Sequence, residues 1–144
     1  KRDKNIWCGI SNKEGTKKVF FRKKINMLNT LNEHIAKIHF RKGYYTKFVK
    51  VNTLNHFLKK FYNEKKKIDL LKIDVEGEEL NVLESINLYI YQPRLISIEI
   101  HNQDSMYEDN SDYFKKNSIY KFLISKKYEI VWRNQYSFIF EKKS

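Results

Sequence analysis

Four side chains carry the chemistry this sequence could do: Asp74, Glu76, Glu99 and His101. Asp74 and Glu76 close the run Ile68-Asp69-Leu70-Leu71-Lys72-Ile73-Asp74-Val75-Glu76-Gly77. Glu99 and His101 close Pro93-Arg94-Leu95-Ile96-Ser97-Ile98-Glu99-Ile100-His101. Each pair is spaced i, i+2, and in an extended strand such residues share one side. An apolar run ending in acidic residues and a glycine reads as a buried strand that delivers carboxylates to the rim of a sheet. In open α/β sheets, ligands bind outside the carboxyl ends of the strands. If the two runs are parallel neighbours, all four groups meet at one end. Three carboxylates and an imidazole could then hold a divalent cation; alternatively, His101 could act as general base on a substrate hydroxyl. Structural roles compete with these. Glu76 could sit in a first helical turn against the dipole, Asp74 could cap that helix, and Glu99 could accept from backbone amides. Charge at the end of buried strands is costly without a purpose, and two such pairs at matching strand ends favour a site.

The elements that must position these groups follow from periodicity. Residues 5–10 read as a short strand, residues 11–15 as a turn, and residues 19–21 as a second short strand. Residues 26–43 are polar and carry no clear period. Residues 48–51 read as a strand, and Thr53 as the N-cap of a helix bearing Leu54, Phe57, Leu58 and Phe61. Lys65 to Lys67 form a solvated connector. Residues 70–73 are the central strand, 78–86 a helix, 94–101 a second buried strand and 112–126 a helix, with a polar loop before it. Residues 128–132 and 137–140 read as an antiparallel hairpin. The alternation of strand and helix from residue 68 implies a parallel sheet with covering helices. The expectation is therefore an α/β fold, mostly parallel, with a C-terminal antiparallel hairpin.

Composition narrows the function classes. The chain has 144 residues, enough for a single domain, and 10 Tyr, 10 Phe and 2 Trp make it unlike a disordered segment. No apolar run approaches the roughly 18 residues of a membrane span, and no signal peptide is visible; the expected location is cytoplasmic. The single Cys8 excludes an internal disulfide and reads as a small buried hydrophobe. His34, His39 and His56 read as surface residues, Lys72 as either reaching the surface or pairing with a rim carboxylate, and Glu78 and Glu79 as a solvated helix face. Residues 1–67 hold 19 basic and 4 acidic residues, against 10 and 13 in the remainder. A basic half can attract nucleic acid, anionic membrane or an acidic substrate. Most of that charge is Lys, whereas base and phosphate recognition leans on Arg forks, so nucleic acid is not the expected partner.

The two runs bearing the candidate residues resemble the signature of FkbM-family methyltransferases, including Glu78-Glu79-Leu80 and Val82-Leu83-Glu84 after the glycine. Val51-Asn52-Thr53-Leu54-Asn55 resembles a further family segment. The resemblance implies a Rossmann-like class I sheet and S-adenosylmethionine-dependent methylation of a hydroxyl on a sugar, glycolipid or natural product. Carried over by position, Asp74, Glu76, Glu99 and His101 face a small-molecule or glycan acceptor. The family's glycine-rich cofactor loop has no counterpart: Gly9, Gly15, Gly43 and Gly77 are isolated. Residues 5–10 resemble the family's third strand, so residues 1–144 read as one partial domain whose first strands are missing. A different class of function remains open: a non-catalytic module that holds an anionic polymer with its basic N-terminal half.

Overall fold

The computed structural model describes residues 3–24, 28–62, 67–101 and 113–143. They fall into two compact units, each discontinuous in sequence: residues 1–61 with 75–86, and residues 62–74 with 87–144. The polar loop before residue 112 and most of the connector at Lys65 to Lys67 lie outside the described residues.

The first unit is built on a three-stranded sheet. Strand β1 (Gly9–Ile10) runs parallel to β3 (Tyr45–Asn52), and β2 (Gly15–Phe21) pairs with β3 antiparallel on its other side. Helix α1 (Glu33–His39) occupies the stretch without a clear period. Asn32 starts it: its Oδ1 accepts from the backbone amides of His34 (3.0 Å) and Ile35 (3.3 Å), which satisfies two amides that the helix cannot pair internally. Ala36 and Phe40 then bury against Phe20 of β2, with Tyr44 packed edge-on to Phe20. Thr53 caps α2 (Leu54–Phe61) as expected, its Oγ1 accepting from the His56 amide at 3.1 Å. Helix α3 (Glu79–Glu84) is shorter than the spacing implies. Ser85 follows it and turns its hydroxyl back onto the Val82 carbonyl at 2.7 Å, a local bond that competes with helix continuation.

The second unit is a four-stranded sheet in the order β4 (Leu70–Ile73), β5 (Leu95–Glu99), β7 (Ser137–Lys142), β6 (Tyr128–Arg133). Strands β4 and β5 are parallel neighbours, β5–β7 and β6–β7 antiparallel. The expectation of a mostly parallel sheet is therefore corrected. Of the five pairings, β1–β3 and β4–β5 alone are parallel among the described residues, and the architecture is α/β with mixed sheets. The reason lies in the hairpin, which inserts β7 directly beside β5 instead of extending an edge further out. Ile96 and Ile98 of β5 stand opposite Phe140 and Phe138 of β7, and all four are buried. Each such side chain contributes about 1.5–3 kcal/mol relative to exposure. The predicted helix over 112–126 is two pieces, a 3-10 turn (Tyr113–Lys116) and α4 (Ser118–Ser125). They are divided by Asn117, whose side chain caps α4 by accepting from the Ile119 amide at 2.8 Å. Phe114, Ile119 and Leu123 from these pieces complete the buried set. No helix among the described residues is long and apolar enough to cross a membrane.

Candidate active site

Strand β5 carries Ile98 into the core and ends at Glu99. Two residues on, His101 turns its Nε2 back to Glu99 Oε2 at 3.0 Å. The i, i+2 spacing read from the sequence thus becomes a direct carboxylate–imidazole pair. Both groups are open to solvent, at 34% for the Glu99 side chain and 52% for His101. When Nε2 carries the hydrogen that Glu99 accepts, Nδ1 is the basic nitrogen presented outward. The ring lies 5.2 Å from that of Tyr136. The backbone beneath is clamped by Tyr113, whose hydroxyl lies 3.1 Å from the Ile100 carbonyl and 2.5 Å from that of Gln135. Burial, then the neighbouring Tyr136, push the Tyr113 hydroxyl above its ordinary pKa, with Arg133 opposing. The hydroxyl therefore stays a donor across the neutral range.

Asp74 follows Ile73 as Glu99 follows Ile98, and Ile73 and Ile98 are in register. The parallel pairing thus places the two carboxylate positions level at the carboxyl ends of β4 and β5. Asp74 is exposed and paired with Lys72 Nζ at 3.0 Å, the second of the two readings open for that lysine.

Glu76 and Gly77 belong to the first unit. The chain does not stay extended here: Glu76 has φ 52° and Gly77 φ 98°. The assumption that Asp74 and Glu76 share one strand face is corrected by this left-handed reversal. Several groups hold it. Thr30 Oγ1 donates to the Glu76 carbonyl at 2.5 Å, and Asn32 Nδ2 to the Gly77 carbonyl at 3.3 Å. The Gly77 amide donates to both Glu79 oxygens, at 3.1 and 3.0 Å, and the Val75 amide to Glu79 Oε1 at 3.4 Å. A Cβ on Gly77 would meet Ile35 Cγ1 at 2.7 Å, so α1 closes on this backbone as only glycine allows.

Glu78 and Glu79 correct a second expectation. Both are 6% exposed, not part of a solvated face. Glu78 Oε2 accepts from Lys17 Nζ at 2.6 Å and from Asn81 Nδ2 at 2.9 Å. The acidic residue in the first turn of α3 is Glu79, not Glu76, and its N-cap is Glu78, not Asp74, with no capping hydrogen bond from the Glu78 side chain. Thr30, Asn32 and Glu79 are therefore the residues that sequence reasoning missed. The Asn32-Glu33 step was a readable cap signal; the long-range bonds of Thr30 and Glu79 had none.

Among the described residues, no group of three or more His, Cys, Asp or Glu side chains could hold a metal ion. This bears directly on the cation site expected over Asp74, Glu76, Glu99 and His101: Asp74 is engaged with Lys72, and Glu99 with His101. His34, His39 and His56 are exposed, as read from sequence. Cys8 is half-buried, not enclosed, its thiol near the carbonyls of Gly9 (3.3 Å) and Lys50 (3.5 Å).

The family model of the methyltransferase FkbM domain matches residues 1–130. The chain belongs to the FkbM methyltransferase domain family. No curated protein and no solved structure matches it. Family membership supports methyl transfer at the level of the family. S-adenosylmethionine needs backbone that can approach it closely, which glycines ordinarily provide. In this FkbM chain, Gly77 faces Ile35 and Gly9 faces Val51 Cγ1, at 2.8 Å from a Cβ built on it; Gly15 and Gly43 have nothing within 4 Å. The four glycines thus form no cradle for the cofactor, and the chemistry argued from these residues is confined to the acceptor.

Proposed function

We propose that this FkbM chain serves S-adenosylmethionine-dependent O-methylation of a hydroxyl on a sugar, glycolipid or natural product, and that it provides the acceptor side of the site. The observation that carries this reading is the Glu99–His101 pair, 3.0 Å apart at the carboxyl end of β5. Beside it, the β4–β5 register brings Asp74 level with Glu99.

A hydroxyl must lose its proton as its oxygen is alkylated. His101 Nδ1 takes that proton, and Glu99 holds the ring in the tautomer that leaves Nδ1 free to accept. Glu99 is thus a positioning residue and His101 the catalytic base. Asp74 accepts a hydrogen bond from a neighbouring acceptor hydroxyl. Exposed carboxylates suit a hydroxyl-rich acceptor, whose donors they satisfy, better than an apolar pocket does.

The test is turnover of the intact protein with radiolabelled S-adenosylmethionine and a panel of hydroxylated acceptors. H101Q is expected to lower kcat by about 10²–10⁴-fold while leaving the melting temperature unchanged. E99Q is expected to shift the pH profile and to lower kcat less. Undiminished turnover in H101Q overturns the assignment of the base, and absence of methyl transfer to any hydroxyl overturns the reading as a whole.

A further inference from the structure

The sheet of the second unit has one enclosed face and one left partly open. Burial alternates along β5 and β7: Ile96, Ile98, Phe138 and Phe140 are enclosed, and the residues between them are half-buried. Successive side chains of a strand point to opposite faces. Ser97 and Glu99 of β5 therefore share the open face with Ser137 and Ile139 of β7. The register sets them in rows, with Glu99 opposite Ser137 and Ser97 opposite Ile139. Ile139 in turn stands opposite Trp132 of β6, past the irregularity between Ile130 and Trp132. Arg133, the next residue, lies 4.6 Å over the ring of Phe114, which packs on the enclosed Phe138. Trp132 thus belongs to the open face, and it is 50% exposed. The indole sits two strands across and one row down from Glu99, a separation of about 12 Å at the usual strand spacing and rise. The ground between holds Ile139 and the small side chains of Ser97 and Ser137.

This surface is continuous with the candidate acceptor site, and its chemistry separates the possible occupants. Asp74 and Glu99 at the rim repel a phosphate-bearing polymer. A flat hydrophobic molecule covers the indole but leaves the serine hydroxyls and the carboxylates without partners. A sugar chain meets both demands. Its hydroxyls donate to the carboxylates and serines, and the C–H face of a ring lies on the indole, whose π face carries negative charge. We infer that this face is the binding track of a neutral oligosaccharide acceptor, with Trp132 as the platform for a sugar ring remote from the one methylated at Glu99 and His101. The inference rests on the acceptor reading of that pair. It narrows the acceptor from any hydroxylated molecule to a glycan of several units, because one ring does not span the distance. Trp132 takes no part in the chemistry and acts on specificity.

The test is fluorescence titration of the full chain carrying W7F, which leaves Trp132 as the sole tryptophan. The probes are neutral mono-, di- and trisaccharides of glucose, galactose, mannose and rhamnose, added without cofactor. At least one trisaccharide is expected to change the Trp132 emission and to bind about tenfold more tightly than its monosaccharide, a factor within reach of one good aromatic contact. W132A is expected to remove that advantage and W132F to keep most of it. W132Q, which keeps a side chain over Ile139, is expected to bind as W132A does, and the melting temperatures of all three to match wild type. No binding of any oligosaccharide overturns the inference, as does binding that W132A and W132Q leave unchanged. So does binding of a flat aromatic probe, quercetin, without any glycan, or a dimer in solution that W132A dissolves with no glycan bound. The two readings fail separately. Glycan binding lost in W132A, without methyl transfer to any hydroxyl, keeps the glycan track and removes the methylation reading. Methyl transfer to monosaccharide and trisaccharide at equal kcat/KM, unchanged in W132A, keeps the methylation reading and removes the track.

Discussion

One short segment supplies two kinds of carboxylate. Glu78 and Glu79 are buried and held by more than one donor: Glu79 takes three contacts from the amides of Val75 and Gly77, and Glu78 takes Lys17 and Asn81. Asp74, in the other unit, is exposed and holds one flexible lysine; Glu99, level with it, holds an imidazole. Buried carboxylates held by several donors are kept from a substrate by burial, and they stabilise the backbone around them. Those at the strand ends contribute little to stability and keep valence for a ligand. Burial and count of partners, more than residue type, therefore separate scaffold from site. The expected signature of the H101Q substitution, lost turnover at unchanged stability, is the mirror image of what the scaffold side should show.

The sharpest break on that side is Gly77→Ala. The left-handed conformation costs a residue with a Cβ about 1–2 kcal/mol, and forcing the Cβ past Ile35, 2.7 Å away, adds overpacking of about 1–3 kcal/mol. Chemical denaturation should show a loss of about 4 kcal/mol in total. A variant as stable as wild type would mean that α1 does not close on this turn.

Glu79→Ala comes next. It removes the acceptor for the Gly77 and Val75 amides, and hydrogen bonds to a charged group contribute about 1.5–3 kcal/mol each. The expected loss is about 3 kcal/mol, since partial hydration of the freed amides recovers some of that. An unchanged melting temperature, with turnover lost instead, would move Glu79 to the site side of the comparison.

Strand β4 is legible in the sequence to the residue, because four apolar or stem-bearing positions bounded by charge can pack in few other ways. So is the nearness of Glu99 to His101, a local consequence of spacing, though not the bond between them. What was not legible depends on distant chain. Glu78 and Glu79 look solvated until Lys17, some sixty residues earlier, arrives to neutralise one of them. The Glu76-Gly77 reversal is held by Thr30 and Asn32, in a stretch with no clear period of its own. The sheet came out mixed because β7 pairs with β5 over a long sequence separation that periodicity does not encode.

A buried polar group with a partner also stands in the unit carrying the exposed site. Tyr128 is 1% exposed, and its hydroxyl donates to the Pro93 carbonyl at 2.8 Å. Burial pushes its pKa from 10.0 up to about 12. Raised in the folded state, this group contributes stability that is complete below the unfolded value and is lost as pH rises from 10.0 through about 12. The loss should reach on the order of 2 kcal/mol. Tyrosinate absorbance followed against pH should show a latest-titrating component that is lost in Y128F. Titration of every tyrosine near the ordinary value would remove this parallel between the two units.

The smallest effect tests the other half of the comparison. Lys72→Ala removes the one hydrogen-bond partner described for the Asp74 carboxylate, in a pair whose side chains are 66% and 44% exposed. Two exposed ions gain little in water and lose side-chain freedom to meet, so such pairs contribute about 0.2–1 kcal/mol. Stability should fall by less than about 1 kcal/mol, several-fold below the loss expected for Glu79→Ala. Turnover should respond in the opposite sense to a scaffold mutation, because freeing Asp74 leaves its oxygens to the acceptor: KM should fall or hold, with kcat little changed. A stability loss as large as that of Glu79→Ala would show that Asp74 is held as tightly as the buried carboxylates. The distinction between rim and scaffold would then fail at the residue on which it most depends.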